Sequence, residues 1–235
     1  MKLLPPRTGE VIGDSTGRRV EILCDDDALH ATWSRFGPGR DGADLHIHQR
    51  HSDLFYVLEG ELTLALGASG GSAVAPAGTL VYVPPLVVHG FRNAGAVDVR
   101  YLNFHAPGSG FADYLRARRD GLPSSVDQGS FDSEDPPADG GRSPEAASIG
   151  RGELDSEEIG VSEIRLESGS TRSAGPSAPR RGLTCVYVLE GVLVLTAEGR
   201  EQQAEAGAWV QLASGAPPSL ASAGSGSVRF LQIQA

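Results

Sequence analysis

Hydrophobic and polar positions alternate in short runs along two stretches of the chain. The runs are rich in β-branched and aromatic residues and are separated by Gly, Pro and Asn, which is typical of an all-β sandwich or barrel. The first set, between residues 19 and 105, reads RVEILC, ATWSRF, ADLHIH, LFYVL, ELTLAL, TLVYVP and VDVRYLNF. The second set, after residue 150, reads VSEIRLE, TCVYVLE, VLVLTA, AWVQLA and VRFLQIQ. The pattern predicts two β domains in tandem.

The two sets of predicted strands repeat one another. The pentapeptide YVLEG occurs at Tyr56–Gly60 and again at Tyr187–Gly191, each time between apolar runs. Aligning the two copies places VRFLQIQA, at the end of the second set, over VRYLNFHA, at the end of the first. We interpret this agreement as an internal duplication of one β domain.

A predicted helix and a predicted linker separate the two β domains. The segment GFADYLRARRD, residues 110–120, has apolar residues at helical spacing and predicts a short amphipathic helix. Residues 121–150 are rich in Pro, Gly, Ser and acidic residues, which predicts a disordered, flexible linker. The expected organisation is an N-terminal barrel over residues 1–120, this linker, and a C-terminal barrel over residues 151–235.

Composition supports short strands and a small-molecule partner. Of the 235 residues, 40% are apolar and only 6% aromatic, while Gly and Pro are frequent at 31 and 15. The formal net charge is −10, and the one basic cluster is Arg116–Arg119. Because an acidic chain has no long-range attraction to nucleic acid or anionic lipid, neither is expected as a partner.

The lack of a recognisable targeting signal and the use of cysteine predict a cytoplasmic protein. The first residues, MKLLPPRTGE, interrupt any apolar run before it reaches the length of a signal peptide, and no later stretch approaches the roughly 18 apolar residues of a membrane span. The two cysteines, Cys24 and Cys185, fall in different halves and outside any CxxC pair. We interpret them as structural thiols of a reducing compartment.

The candidate chemistry lies in LHIHQRHSDLFYVLEG, residues 45–60. Alternate residues of a strand share a face, so His46 and His48 are expected to point the same way. Asp53 begins the next predicted strand and could face this pair, and His89 follows a Pro-rich turn later in the chain. Imidazoles with a carboxylate suit one divalent ion such as Fe, Mn, Ni, Co or Zn. Three or four protein ligands would leave positions open for a substrate oxygen or O₂.

This stretch resembles the first motif of the cupin superfamily. That motif reads Gly, HxH, three or four residues, Glu, six residues and Gly. In this chain His46, His48, Asp53 and Gly60 fall at those places, with Asp where the family usually has Glu. His51 is kept as an alternative to Asp53, because the shorter Asp side chain reaches an ion less easily.

A later stretch resembles the second motif of the same superfamily. That motif reads Gly, five residues, Pro, any residue, Gly, two residues, His, three residues and Asn. Gly78, Pro84, His89 and Asn93 match at those intervals, while Leu86 replaces the second Gly. The resemblance covers residues 19–107 and implies a jelly-roll barrel of two antiparallel sheets. It also implies His46, His48, Asp53 and His89 as metal ligands, with turns at the two glycines and at Asn93.

The second copy lacks residues that could bind a first-row metal. In the same register, the positions of His46, His48 and Asp53 correspond to Ser177, Pro179 and Thr184, and that of His89 lies near Pro218. The expected second barrel is therefore degenerate, with the core pattern kept and the metal ligands lost.

Candidate substrate-contacting residues are the polar and aromatic side chains able to line the mouth of the first barrel. Tyr101, Asn103 and His105 share one face of a predicted strand, and Tyr56 is a further candidate.

The resemblance implies activities as different as dioxygenation, decarboxylation and isomerisation, and the fold does not choose among them. We expect a metal-dependent enzyme that acts on a small molecule, a dioxygenase being one such activity. The alternative is a non-catalytic binding or regulatory protein of the pirin kind. Pirins place a carboxylate two residues after the His of the second motif, where this chain has Phe91. The resemblance also implies a homodimer that pairs through sheet edges.

Overall fold

The chain folds into two compact units. The computed structural model describes residues 1–126, 128–130, 141–175, 182–212 and 217–235. The first unit is Glu10–Arg151, and the second unit combines Met1–Gly9 with Gly152–Ala235. Each unit consists mainly of β-strands, which confirms the predicted all-β class with two tandem barrels.

Short strands are numbered along the chain. The strands up to residue 150 are β1 (Lys2–Leu4), β2 (Glu10–Ser15), β3 (Arg18–Asp25), β4 (His30–Phe36), β5 (Asp41–Ile47), β6 (Ser52–Glu59), β7 (Glu61–Leu66), β8 (Gly71–Pro76), β9 (Leu80–Val83), β10 (His89–Arg92), β11 (Val99–Ala106), β12 (Gly129–Ser130) and β13 (Ser148–Gly150). The later strands are β14 (Glu153–Asp155), β15 (Gly160–Leu166), β16 (Thr171–Ser173), β17 (Thr184–Glu190), β18 (Val192–Ala197), β19 (Arg200–Glu205), β20 (Trp209–Leu212), β21 (Ser219–Ser222) and β22 (Val228–Gln234).

Each unit is built from two antiparallel sheets. In the first unit, a seven-stranded sheet with the order β13-β9-β6-β11-β4-β3-β2 packs on a five-stranded sheet with the order β12-β5-β10-β7-β8. The second unit has a six-stranded sheet, β1-β20-β17-β22-β15-β14, and a four-stranded sheet, β16-β21-β18-β19. Most neighbouring strands in these sheets are therefore non-consecutive in the sequence, and residues far apart in the chain meet on one face.

The apolar core of the first unit lies between its two sheets. Phe55 and Val57 of β6 and Leu62 and Leu64 of β7 belong to one fully buried cluster. Their spacing of two follows from the alternation of side chains along a strand. Burial of such side chains contributes about 1.5–3 kcal/mol each, so this cluster holds the two sheets together.

The duplicated pentapeptide makes the same turn in both units. Gly60 follows β6 with φ of 73°, and Gly191 follows β17 with φ of 77°. A Cβ atom on Gly60 would lie 2.5 Å from the carbonyl oxygen of Asp98, and one on Gly191 would lie 2.6 Å from that of Ser227. Both the positive φ and the close backbone approach require glycine.

Two short strands extend the sheets of the units in a way that the sequence pattern does not show. Strand β1 pairs with β20 and so adds the first residues of the chain to the second unit. Strand β13, at the end of the predicted linker, pairs with β9 of the first unit. The observed units therefore differ from the predicted boundaries at residues 1–9 and at 148–150.

The predicted helix is confirmed as α1, Phe111–Arg119. Its first turn buries Phe111, and the guanidinium of Arg116 lies 2.7 Å from carboxylate oxygens of both Glu10 and Asp25, which ties the helix to β2 and β3. Part of the predicted linker, residue 127 and residues 131–140, lies outside the described residues.

Neither cysteine forms a disulfide bond, and both Cys24 and Cys185 are buried. Among the helices that the structure describes, none is long and apolar enough to cross a membrane.

Candidate metal centre

Four potential metal ligands come together inside the first unit. His46 of β5 pairs directly with His89 of β10 across the five-stranded sheet. His48 follows the last residue of β5, and Asp53 lies near the start of β6 in the other sheet. All four side chains are buried, with exposed fractions of 1–4%. The strand pairing therefore brings together the two sequence motifs.

The ligand atoms of these four side chains all lie within 4.8 Å of one another. A first-row ion with bonds of about 2.1 Å separates opposite ligands by about 4.2 Å and adjacent ones by about 3 Å. Side-chain movements of about half an ångström would therefore close this group around one ion. The donor set, three imidazoles and one carboxylate, also suits such an ion.

Backbone carbonyls fix the orientation of two of the imidazoles. His46 Nδ1 lies 2.7 Å from the carbonyl oxygen of Asp44, and His89 Nδ1 lies 2.9 Å from that of Val87. Because a carbonyl oxygen only accepts, each Nδ1 must donate its hydrogen, and each Nε2 is left with a lone pair when the ring is neutral. These are the tautomers that coordinate a metal through Nε2.

The contact between His89 and Asp53 calls for a positive charge. His89 Nε2 lies 3.2 Å from Asp53 Oδ2, and His48 Nε2 lies 4.0 Å from the same oxygen. A neutral imidazole nitrogen with a lone pair and a carboxylate oxygen are both acceptors, so they repel at this distance unless a proton or a cation lies between them. A divalent ion would meet that requirement.

Burial sets protonation states that favour metal binding. It lowers the pKa of His46 to about 4 and that of His48 to about 3, and it holds the pKa of His105 well below its usual value. Burial opposes the ionised form of Asp53, but the nearby imidazoles of His105 and His89 outweigh this effect, so the pKa of Asp53 is lowered. Neutral imidazoles and an ionised carboxylate are the forms that bind a metal.

His51, the alternative to Asp53, belongs to a neighbouring group. Its ligand atom lies within 4.8 Å of those of His48 and His105, whereas the group that contains His46 and His89 includes Asp53. The ring of Phe111 stacks on His105 with centroids 3.7 Å apart, so the first turn of α1 covers these imidazoles.

A cavity of about 370 Å³ opens onto the candidate ligands His46 and Asp53. The candidate pocket residues Tyr101, Asn103 and His105 all line it from β11. Tyr56 does not, because it lies on the other face of β6 from Asp53.

Asn103 also positions a candidate ligand, because its amide nitrogen donates a hydrogen bond to Asp53 Oδ1.

Three further residues line the same cavity without having been found from the sequence. They are Arg18 of β3, Phe91 of β10 and Arg118 of α1. Only the pairing of β3 with β4 and of β4 with β11 reveals that Arg18 shares this face.

The second unit offers no comparable group among the residues that the structure describes, since both potential ligand groups lie in the first unit. Ser177 and Pro179 lie outside the described residues. Thr184 is half-buried at the start of β17, and Pro218 is buried before β21.

Comparison with known proteins gives a matching domain model for part of the chain and a fold for the whole. A family model described as Cupin domain matches residues 32–105. No curated protein sequence matches the chain. A solved structure of a putative glyoxylate-induced protein from Pseudomonas aeruginosa is 15% identical with a TM-score of 0.69, covering 99% of this chain and 88% of the other.

Two further solved structures have the same overall fold. Protein Ylba from E. coli is 12% identical with a TM-score of 0.66, covering 99% of this chain and 89% of that one. An oxalate decarboxylase from Bacillus subtilis, solved in work on its Mn(II) centres, is 13% identical with a TM-score of 0.63, covering 99% and 76%. The family match spans the strands that carry the candidate ligands, so the first unit contains a cupin domain over residues 32–105, and the structural neighbours share the fold of the chain.

Proposed function

We propose that the chain is a metal-dependent enzyme that acts on a small molecule in the cavity of the first unit. His46, His48, His89 and Asp53 would hold one divalent ion. The observation that carries the proposal is the convergence of these four buried ligand atoms within 4.8 Å at the wall of a cavity of about 370 Å³. That volume lies at the lower end of the range for small-molecule sites, about 300–1,000 Å³.

The residues of this chain would prepare the site in three ways. The carbonyls of Asp44 and Val87 keep the Nε2 atoms of two imidazoles directed at the ion position. Asn103 holds Oδ1 of Asp53 and leaves Oδ2 towards the histidines. Phe111 stacks on His105 beside the ligand group and would limit the access of water. A bound divalent ion would supply Lewis acidity, or a position for O₂, to a substrate in the cavity.

The metal and the reaction class are separate questions. The donor set suits Fe, Mn, Ni, Co or Zn. We place Mn first for testing, because the structurally similar oxalate decarboxylase is described with Mn(II) centres. Dioxygenation, decarboxylation and isomerisation all remain candidate reactions, with non-catalytic binding of a small molecule as the alternative.

Metal analysis tests the ion site directly. Protein purified without chelators should contain one divalent ion per chain, and His46→Ala and His89→Ala should each lose it. His30→Ala is the matched control, because His30 is equally buried in the first unit but belongs to neither ligand group. Retention of the ion in both ligand variants would disprove the site.

Turnover tests the enzymatic part of the proposal. The metal-loaded protein should consume O₂ or substrate with a member of a panel of aromatic diols, flavonols and keto acids, and chelation should abolish the activity. Inactivity of every metal form against the panel would favour the binding alternative.

We further propose a cytoplasmic homodimer. Light scattering that gives the mass of a single chain would contradict the dimer.

A further inference from the structure

Arg18 is a half-buried cation in the wall of the cavity without a carboxylate partner in the described part of the chain. Its Nε is fully buried and makes no hydrogen bond. The guanidinium carbon lies 5.6 Å from the centre of the Phe36 ring, so the group rests against an aromatic face. Burial lowers the pKa of Arg18, as expected for a cation that has lost solvent.

The neighbouring arginine on the same strand has the opposite surroundings. Arg19 points to the other face of β3, where its guanidinium lies 2.6 Å from Asp14 and 2.7 Å from Glu21. The two adjacent side chains thus differ in whether their guanidinium groups are paired with carboxylates. Arg19 is neutralised by two carboxylates, whereas Arg18 lines the cavity and has no carboxylate partner among the described residues.

The balance of charge in the cavity favours an anion. Arg118 of α1 also lines the cavity and donates a hydrogen bond to the hydroxyl of Tyr114, at 3.0 Å. Asp44 and Asp53 are the acidic residues of the lining. Since Asp53 is directed at the histidines, a divalent ion bound there would leave the cavity net positive in a protein of net charge −10.

Three aromatic side chains form an apolar part of the lining. Phe36, Phe91 and Tyr101 all line the cavity and contact one another, with ring centres 5.4–6.2 Å apart. Tyr101 is fully buried, and burial raises its pKa, so it stays neutral and adds no negative charge. An apolar group of a ligand bound beside Arg18 would contact these rings.

We propose that the ligand of this cavity is a small organic carboxylate, whose carboxylate pairs with Arg18 while its body packs on Phe36, Phe91 and Tyr101. The proposal rests on the proposed function, because it names the substrate class of the same cavity. A planar guanidinium with free donors matches the geometry of a carboxylate, which it binds through two parallel hydrogen bonds.

The test compares acids with their neutral methyl esters. Binding of pyruvate, phenylpyruvate and benzoate, and of the ester of each, is measured by calorimetry on protein loaded with Mn(II). We expect the preferred acid to bind about 10- to 100-fold more tightly than its ester, which corresponds to one charge-assisted pair of hydrogen bonds. Arg18→Gln should abolish this preference without changing the affinity for the ester.

Two further variants make the result specific. Arg18→Lys keeps the charge and loses the two-pronged geometry, so it should retain part of the preference and also show that a side chain other than Arg permits folding. Arg19→Gln, which removes an equal charge from the other face of the same strand, should bind acids as the parent protein does.

The failure of this inference can be told from failure of the proposed function. Metal content is measured on every variant, and Arg18→Gln should keep the ion because it provides no ligand. If no acid binds more tightly than its ester, or if Arg18→Gln retains the preference, the carboxylate assignment is wrong even where the ion and turnover are present. If the preference follows Arg18 while turnover is absent, the assignment stands and the enzymatic proposal fails.

Discussion

Asn93 belongs to the second motif, and its side chain binds backbone. Its amide nitrogen donates to the carbonyl oxygens of Phe36, Gly37 and Val97 at 3.0, 2.9 and 2.8 Å. Its Oδ1 accepts a hydrogen bond from the backbone nitrogen of Gly95 at 3.0 Å. Asn93 is 1% exposed, so water cannot replace these partners. The side chain therefore joins the end of β4 to the turn between β10 and β11.

The cost of losing this side chain follows from the count of its bonds. Two amide hydrogens shared among three carbonyls and one accepted bond amount to about three net hydrogen bonds, at about 1 kcal/mol each. Carbonyls left buried without a donor add to this. Asn93→Ala should therefore lower the free energy of unfolding of the first unit by about 3–5 kcal/mol.

Asn93→Asp makes the prediction sharper. It keeps the acceptor but directs a negative oxygen at three carbonyl oxygens, so at pH 8 it should be less stable than Asn93→Ala. The same surroundings raise the pKa of the new carboxyl above its unfolded value of about 3.9. When the folded-state pKa of a carboxyl group is above its unfolded-state pKa, the protein loses stability as pH rises between these two values. The difference in unfolding free energy between Asn93→Asp and Asn93→Ala should therefore shrink as pH falls from 8 to 5.

The two tryptophans provide the assay. Trp33 lies in the first unit and Trp209 in the second, so a Trp209→Phe background makes fluorescence report the first unit alone during urea unfolding. Asn103→Ala is the contrast, because it removes a donor to Asp53 and should weaken metal affinity. Without denaturant, Asn93→Ala should retain the ion. A change in stability below about 1 kcal/mol for Asn93→Ala, or an Asp deficit that does not vary with pH, would refute this reasoning.

Three other outcomes follow from the structure. Metal-free protein should lose stability as pH falls below about 6.5, by up to about 4 kcal/mol per pH unit. In the folded state, burial lowers the pKa values of His30, His46 and His48 to about 3 or 4. In the unfolded chain the same three histidines bind protons below pH 6.5, which favours unfolding. Urea unfolding between pH 7 and 5 measures this, and a flat profile would contradict it. Gly108→Ala should destabilise the first unit by about 1–3 kcal/mol in thermal unfolding, since its Cβ would lie 2.2 Å from the carbonyl oxygen of Asp26, while Gly13→Ala, with open space around it, should have almost no effect. By metal analysis, Asp53→Asn should lower the affinity for the ion more than His51→Ala, and the reverse order would make His51 the fourth ligand.

The central strands could be predicted from the sequence, whereas several edge strands could not. Strands β6, β7 and β11 bury alternate or continuous apolar residues, and the pattern predicted them. Strand β19, REQQAE, is exposed along most of its length, and β8, GSAVAP, also has mainly exposed side chains. Both lie at sheet edges, where a strand pairs through its backbone with one neighbour only. Because most of their side chains do not pack into a core, the sequence shows no alternating apolar pattern there.

The same distinction applies to the site. The spacing of the two motifs pointed to His46, His48 and His89, because the chemistry of the side chains themselves carries the signal. Tyr56 was chosen for its polar ring, yet alternation along β6 places it on the face opposite Asp53. Arg18 has no sequence signal, because its proposed role depends on the order of strands in the sheet and on its lack of a carboxylate partner in the part of the chain that the structure describes.

The contrast between the duplicated units is itself an argument for function. All six histidines and Asp53 are at most 4% exposed in the first unit, and both ring nitrogens of His30 are buried without a hydrogen-bond partner. Burial of polar groups without full compensation costs about 1–3 kcal/mol each. The second unit builds two antiparallel sheets around an apolar core with Thr184 and Pro218 at corresponding positions, so this architecture does not require imidazoles there. The histidine cluster lowers stability, and the fold does not need it. This favours a functional over a structural role for the histidines, because such unfavourable groups are typical of binding and catalytic centres.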